Sequence, residues 1–286
     1  MKVAVIGGAG RMGKWLIRYF LAQGHEVTFS DVRHDEATAV AKSTGAKLAD
    51  GNLEAAKDAD LVILATPIEA TPEALADLAP NLPRPSSIME ISSLKTQVVP
   101  VLVKVAKRGV TVLSIHPLFG PGVQQLMGEK IALVPVVDPA SELKLAKSLF
   151  PEVEIIIVDA EEHDKAMALT LSLPHFLNIV FASVAGDEDL DVLKKLGGTT
   201  FKLQLVLSES VLSEDPSLYA SIQMSNTYSA HFLNKLITNA LTLRDHVTTK
   251  DLKSFLQLYR DVQALLSRDE DFATAYERMY RALGAL

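Results

Sequence analysis

Short apolar runs alternate with amphipathic stretches over the first half of the chain, and helical spacing alone governs the second. Val3-Ala4-Val5-Ile6 and Leu61-Val62-Ile63-Leu64-Ala65 are unbroken apolar runs of strand length, the pattern of strands buried on both faces. Similar stretches predict further strands over 25–31, 47–49, 87–91, 110–115, 131–137 and 154–158. Between them the spacing predicts helices over 36–43, 52–57, 72–78, 94–107 and 141–150, with Thr71 as a cap and Pro72 at the first helical position. From Asp159 the strand signal stops. Asp159 and Glu162 resemble a capping pair opening a long helix, in which Leu173, Phe176, Leu177, Val180 and Val184 keep one stripe. Further helices are expected over 191–212, interrupted at Gly197-Gly198, then 216–245, 250–266 and 271–283. The order predicts a doubly wound, mostly parallel sheet over residues 1–158 and an all-helical domain over 159–286.

Directly after the first strand, Gly8, Gly10 and Gly13 give the spacing G-x-G-x-x-G, and Lys14-Trp15-Leu16-Ile17 continues as a helix. The first glycine is assigned the tight turn, the second the close approach of a pyrophosphate, and the third the packing of helix on strand. Arg11 and Met12, inside the motif, join the cofactor-binding set. Asp31 ends the second strand, 18 residues beyond Gly13, where a carboxylate can hydrogen-bond ribose hydroxyls and would repel a 2′-phosphate. The first domain is therefore read as a Rossmann-type dinucleotide fold that takes NAD. NADP stays open because Arg33 and His34 are close by in sequence.

Composition narrows this little. Hydrophobic content of 48% and charged content of 22% are those of an ordinary globular protein, and a net charge of −7 argues against a nucleic-acid footprint. The absence of cysteine excludes disulfides, thiolate catalysis and cysteine-ligated metal, and suits the cytoplasm. No metal spacing is found. The chain opens on a strand rather than on a signal peptide, and Leu171 to Ala185 is broken by Pro174, His175 and Asn178, so no membrane partner is expected. That stretch is still apolar enough to predict a homodimer through the helical domain.

Ligands of such sheets bind beyond the carboxyl ends of the strands. Thr66, Ser93 and His116 lie there, Thr66 towards the cofactor. His116 precedes Pro117, which holds it extended, and an imidazole there can take a proton from a hydroxyl as the substrate loses hydride. Ser93 is read either as a partner for the same hydroxyl or as the N-cap of a helix from Leu94. His175, among apolar neighbours, faces either a core hydrogen bond or the cleft, whereas His163, His231 and His246 read as solvated.

Several of these segments together resemble one family. Gly7 to Gly13, Ser93-Leu94-Lys95, His116-Pro117-Leu118-Phe119-Gly120-Pro121, Glu162-His163-Asp164, Leu173-Pro174-His175-Phe176 and Asp215-Pro216-Ser217-Leu218-Tyr219 resemble prephenate dehydrogenases. The likeness is strongest to the dehydrogenase part of the chorismate mutase–prephenate dehydrogenases. It implies oxidative decarboxylation of prephenate to 4-hydroxyphenylpyruvate in tyrosine biosynthesis, or of arogenate to tyrosine. It implies His116 as the catalytic base, Ser93 as its orienting serine, and His175 and Tyr219 in the substrate pocket. The family's substrate-binding arginine falls on Ser210, beside Glu209, and Lys202 matches another basic position. Two other readings stay open: a β-hydroxyacid or deazaflavin–NADPH type of oxidoreductase, and a nucleotide-binding regulator that has lost catalysis.

Overall fold

The computed structural model describes residues 1–83 and 85–285, so Leu286, the last residue of the expected second domain, lies outside it. The strands are β1 (Lys2–Ile6), β2 (Glu26–Ser30), β3 (Lys47–Leu48), β4 (Leu61–Leu64), β5 (Ser87–Glu90), β6 (Thr111–Pro117), β7 (Lys130–Leu133) and β8 (Glu154–Ile157). The interleaved helices are α1 (Arg11–Ala22), α2 (His34–Thr44), α3 (Asn52–Ala56), α4 (Thr71–Leu78), α5 (Val99–Ala106) and α6 (Pro139–Leu149). After β8 come α7 (Ala160–Met167), α8 (Leu173–Ala185), α9 (Leu190–Leu196), α10 (Thr199–Leu212), α11 (Pro216–Ser225), α12 (Ser229–Thr248), α13 (Leu252–Leu266) and α14 (Ala275–Leu283).

The strands form one sheet in the order β3-β2-β1-β4-β5-β6-β7-β8. Pairing is parallel from β3 through β6, antiparallel between β6 and β7, and parallel again to β8. The reversal has a simple cause: no helix crosses between β6 and β7, and a parallel return needs a crossover. Side chains alternate along each strand, so β1 feeds two cores at once. Val3 and Val5 pack with Leu16, Ile17 and Phe20 of α1, while Ala4 and Ile6 pack with Leu75 and Leu78 of α4 and Leu102 of α5. This is why the strands read as unbroken apolar runs.

The described chain divides into two compact units, residues 1–167 with 220–226, and 168–219 with 227 onward. The first unit thus keeps α7, beyond the line drawn at residue 159 from sequence. The physical tie is the α7 carboxylate of Asp164, which accepts the backbone N–H groups of Lys95 and Thr96 at 2.8 and 2.9 Å. In the second unit α8 packs on α10 and α12 on α13.

Several local expectations need correction. Thr71 is not a cap: Ala70 holds that place, and the Thr71 hydroxyl donates to the Pro67 carbonyl at 2.9 Å. No helix starts at Leu94, so Ser93 caps none; α5 begins at Val99, and Asp164 takes the N–H groups a cap would have taken. The helix expected over 216–245 breaks after Ser225, where Asn226 turns to donate its amide to the Asp164 carbonyl at 2.7 Å. Pro174 does not break the helix it lies in: the turn before it, which includes the i−4 residue Thr170 that a proline ring would clash with in a regular α-helix, is widened into a π-helix. The helix runs continuously from Ala160 to Ala185, through a π-helical stretch at Ala168–Ser172, and is long and apolar enough to cross a membrane by length and composition alone. Two of its polar groups are tied to the protein: Asp164 as above, and Asn178, whose Oδ1 accepts from Gln204 and Ser208 of α10 at 2.8 and 3.1 Å.

Candidate active site

The strand-to-helix turn after β1 is built by backbone contacts that exclude side chains. Gly7, not Gly8, is the left-handed residue, at φ +84°, and a Cβ on it would lie 2.5 Å from the Ala65 carbonyl oxygen. Gly8 instead makes room for the Phe29 ring, and a Cβ on Gly13 would collide with the Gly7 carbonyl. Gly10 is the more open of the three, as its motif position requires for a ligand's approach. It is also the N-cap of α1 and brings no capping side chain. The N–H groups of Met12 and Gly13 have no carbonyl partner among the described residues, which leaves donors and a positive dipole end for an anion. Arg11 stands exposed at the same helix start.

Asp31 closes the other side of this cradle. Its carboxylate accepts the Ala9 N–H at 2.9 Å, the Arg33 N–H at 2.9 Å and the Arg33 guanidinium at 3.1 Å. Burial would raise the carboxyl, but the Arg33 side chain and these two N–H groups outweigh it and hold the group below the ordinary range. Thr66, after β4, shares a hydrogen bond with the Thr71 hydroxyl at 2.8 Å. Glycine turn, open helix end and acidic strand end fit the diphosphate and ribose of a dinucleotide.

Beyond the carboxyl ends of β5 and β6 lies a buried polar cluster. His116 is part of β6 itself, 7% exposed, with Nδ1 3.0 Å from Nε2 of His163. His163 is 1% exposed, so the solvated reading from sequence is wrong; its Nδ1 lies 2.8 Å from the Asp164 carboxylate. Beneath them Lys95 donates to Glu90 at 2.6 Å and to the Ile115 carbonyl at 2.7 Å, and all of its side chain is buried. Ser114 Oγ and the Ser92 N–H complete the shell of Glu90. Ser93 sits half-buried on the same loop and makes no hydrogen bond to His116.

Burial, then the neighbouring His163 ring and the Lys95 ammonium, push the His116 imidazole well below its usual value. The consequence for stability has a definite sign. Below about pH 6.5 the unfolded chain binds a proton at this residue and the native one does not, so stability is full above that pH and falls beneath it. Asp31 and Asp164, whose carboxyls are held low, add their loss only below about pH 4. The expected result is a melting temperature that declines between pH 7 and 5 less steeply in His116→Asn than in the wild type, measured by calorimetry in matched buffers. Equal slopes would mean that this ring titrates normally.

The remaining predicted residues lie in the second unit. His175 on α8 stacks edge-on against Tyr219 of α11, with centroids 4.7 Å apart, and its buried Nδ1 has no hydrogen-bond partner among the described residues. Burial lowers its pKa and favours the neutral ring. Lys202 and Ser210 are exposed on α10. Ser210 donates to the Leu207 carbonyl of its own helix, and Glu209 pairs with Lys194 at 3.3 Å. No guanidinium stands at the position of the family's arginine.

A family model for the prephenate dehydrogenase nucleotide-binding domain matches residues 17–159, and one for the prephenate dehydrogenase dimerization domain matches 159–261. The chain belongs to the prephenate dehydrogenase family. A "Probable arogenate/prephenate dehydrogenase" of Methanocaldococcus jannaschii is 27% identical over 272 residues, 91% of this chain and 60% of that protein. The T-protein of Enterobacter agglomerans is 27% identical over 227 residues, 78% of this chain and 56% of its own length. The chain thus spans less than two thirds of both. A 4-amino-4-deoxyprephenate dehydrogenase of Streptomyces pristinaespiralis is 24% identical and aligned nearly end to end, over 99% of this chain and 97% of its own. Among solved structures, prephenate dehydrogenase of A. aeolicus with hydroxyphenyl propionate and NAD+ superposes with a TM-score of 0.73 at 17% identity, covering 94% of this chain and 98% of that one. Synechocystis arogenate dehydrogenase gives 0.66 at 18% identity, over 94% and 99%. At such identities the likeness is one of fold.

Proposed function

We propose that this protein oxidatively decarboxylates a cyclohexadienyl acid, prephenate or arogenate, with NAD(P), as a step in making tyrosine. The observation that carries the reading is the buried His116, held on the last strand of the parallel run with Nδ1 engaged by His163 and no described partner on Nε2. Relatives named for prephenate, arogenate and 4-amino-4-deoxyprephenate share one ring class, which supports the substrate class. His116 removes the proton of the ring hydroxyl, and Ser93 orients that hydroxyl. Nicotinamide, when bound, accepts the hydride, and loss of the ring carboxylate as carbon dioxide makes the ring aromatic. Gly8, Gly10, Arg11, Met12, Gly13, Asp31 and Thr66 hold the cofactor, and His175, Lys202, Ser210 and Tyr219 serve the substrate.

Asp31 favours NAD, since a 2′-phosphate would meet its carboxylate; the Arg33 guanidinium already neutralises it in part, so NADP is accepted more weakly. The exposed apolar side chains Leu177, Val180 and Val184 of α8 and Leu256, Val262 and Leu266 of α13, together with the match to a dimerization domain, support a homodimer, and the cysteine-free composition suits the cytoplasm. The test is direct. The protein is incubated with prephenate or arogenate and with NAD or NADP, while reduced nicotinamide and carbon dioxide are followed. One of each per turnover is expected. The missing guanidinium at Ser210 favours a second reading, a nucleotide-binding regulator, and nucleotide binding without turnover of either acid would establish it.

A further inference from the structure

The contacts around Asp164 allow only one consistent placement of protons in the neutral cluster. The carboxylate already accepts the Lys95 N–H, the Thr96 N–H and the Thr96 hydroxyl, at 2.8, 2.9 and 2.6 Å. These donors, with His163, outweigh the opposing effect of burial and keep Asp164 ionised. A carboxylate can only accept, so His163 carries its hydrogen on Nδ1. Its Nε2 is then a lone pair, and at 3.0 Å the facing Nδ1 of His116 must be the donor. That leaves the lone pair of His116 on Nε2. This nitrogen has no described protein partner and is not among the fully buried unpartnered atoms, so solvent reaches it.

We propose that His163 and Asp164 are positioning residues that hold His116 in its Nδ1–H form and take over the positive charge once a proton enters at Nε2. This rests on His116 acting as the base of the proposed reaction. As the substrate O–H bond breaks, an N–H bond forms at His116 Nε2, and the oxygen's electron pair becomes part of the new carbonyl as hydride departs. The His116 Nδ1 hydrogen passes to His163 Nε2, whose own Nδ1–H stays on Asp164. Decarboxylation then leaves electron density on the ring oxygen, which takes the proton back, so no proton is gained or lost over the cycle.

Charges around the two rings make this arrangement useful. The Lys95 ammonium opposes an imidazolium at His116, and Glu90 is engaged in its own pair with Lys95. On the His163 side the facing charge is the Asp164 carboxylate. Asn226, which follows α11 and donates its side-chain amide to the Asp164 backbone carbonyl, adds no charge. A proton moved from the first ring to the second therefore leaves the cation's side and meets the anion.

Two variants and one spectrum test the proposal. Asp164→Asn removes the anion that the His163 Nδ1–H rests on, so a proton passed to His163 meets no countercharge. His163→Gln keeps an acceptor for His116 but cannot carry the proton, and it leaves the Asp164 bonds to Lys95 and Thr96 in place should the first variant fold poorly. Each is expected to lower kcat by about 10²-fold or more while the KM for the nucleotide stays within about twofold. The acidic limb of the pH profile should move to lower pH in Asp164→Asn, a shift that a merely structural role would not produce. Nitrogen-15 spectra of the wild type should show both rings as Nδ1–H. Rings found as Nε2–H, or variants with kcat within about threefold of wild type, would overturn the relay. The spectrum needs no substrate, so it decides the relay even if the wild type turns over neither acid, the outcome that defeats the functional reading instead.

Discussion

Replacing His116 with asparagine is expected to lower kcat on the cyclohexadienyl acid by about 10²–10⁴-fold, the usual share of a positioned general base. Asparagine is smaller than histidine and its amide can still donate to His163 Nε2, so the buried cluster survives. What is lost is the nitrogen lone pair that takes the substrate's proton. Nucleotide affinity should change by no more than about twofold, because the cradle is made by Gly7, Gly10, the start of α1 and Asp31, none of which contacts the imidazole. Residual turnover should climb with pH as hydroxide replaces the missing base. Steady-state rates across pH, with nucleotide titrations on the same preparations, check all three. A variant that keeps more than about a tenth of wild-type kcat would remove His116 from the reaction.

Much of this site was legible because its signals are local. The glycine spacing, Asp31 at the end of β2 and the strand that carries His116 each need only a few consecutive residues to be read. Even there the roles shifted by one: the turn belongs to Gly7, since φ depends on how the chain meets Ala65 of another strand's end. His163 reads as solvated in sequence because its partner is 47 residues away and its neighbours, Glu161, Glu162, Asp164 and Lys165, are those of a solvated helix. No periodicity reveals that α7 turns this one edge inward. Glu90 did carry a signal. A carboxylate between Met89 and Ile91 in a strand with both faces buried must find a cation, and the nearest in sequence is Lys95. Ser210 was legible as a departure from the family, yet its own-helix hydrogen bond depends on a backbone geometry that sequence does not display.

That buried pair sets the largest expected stability effect. In Lys95→Met the ammonium disappears from a site with no solvent exposure, and Glu90 keeps only Ser114 and the Ser92 N–H as partners. The Ile115 carbonyl also loses its donor. Breaking one half of a buried ion pair costs about 3–5 kcal/mol, because the remaining charge stays desolvated and uncompensated. Glu90 should respond by taking a proton, so the deficit should shrink as pH falls, opposite in direction to the wild-type loss assigned to His116. Adding Glu90→Gln removes the orphaned charge, its carbonyl oxygen can still accept the Ser92 N–H and its amide can donate to the Ser114 hydroxyl, and the double variant should regain most of the loss. Urea unfolding of the wild type, both single variants and the double variant closes the cycle. A Lys95→Met protein within about 1 kcal/mol of wild type would mean that the pair contributes to the site's electrostatics but not to holding β5 and β6 against the loop that carries Ser93.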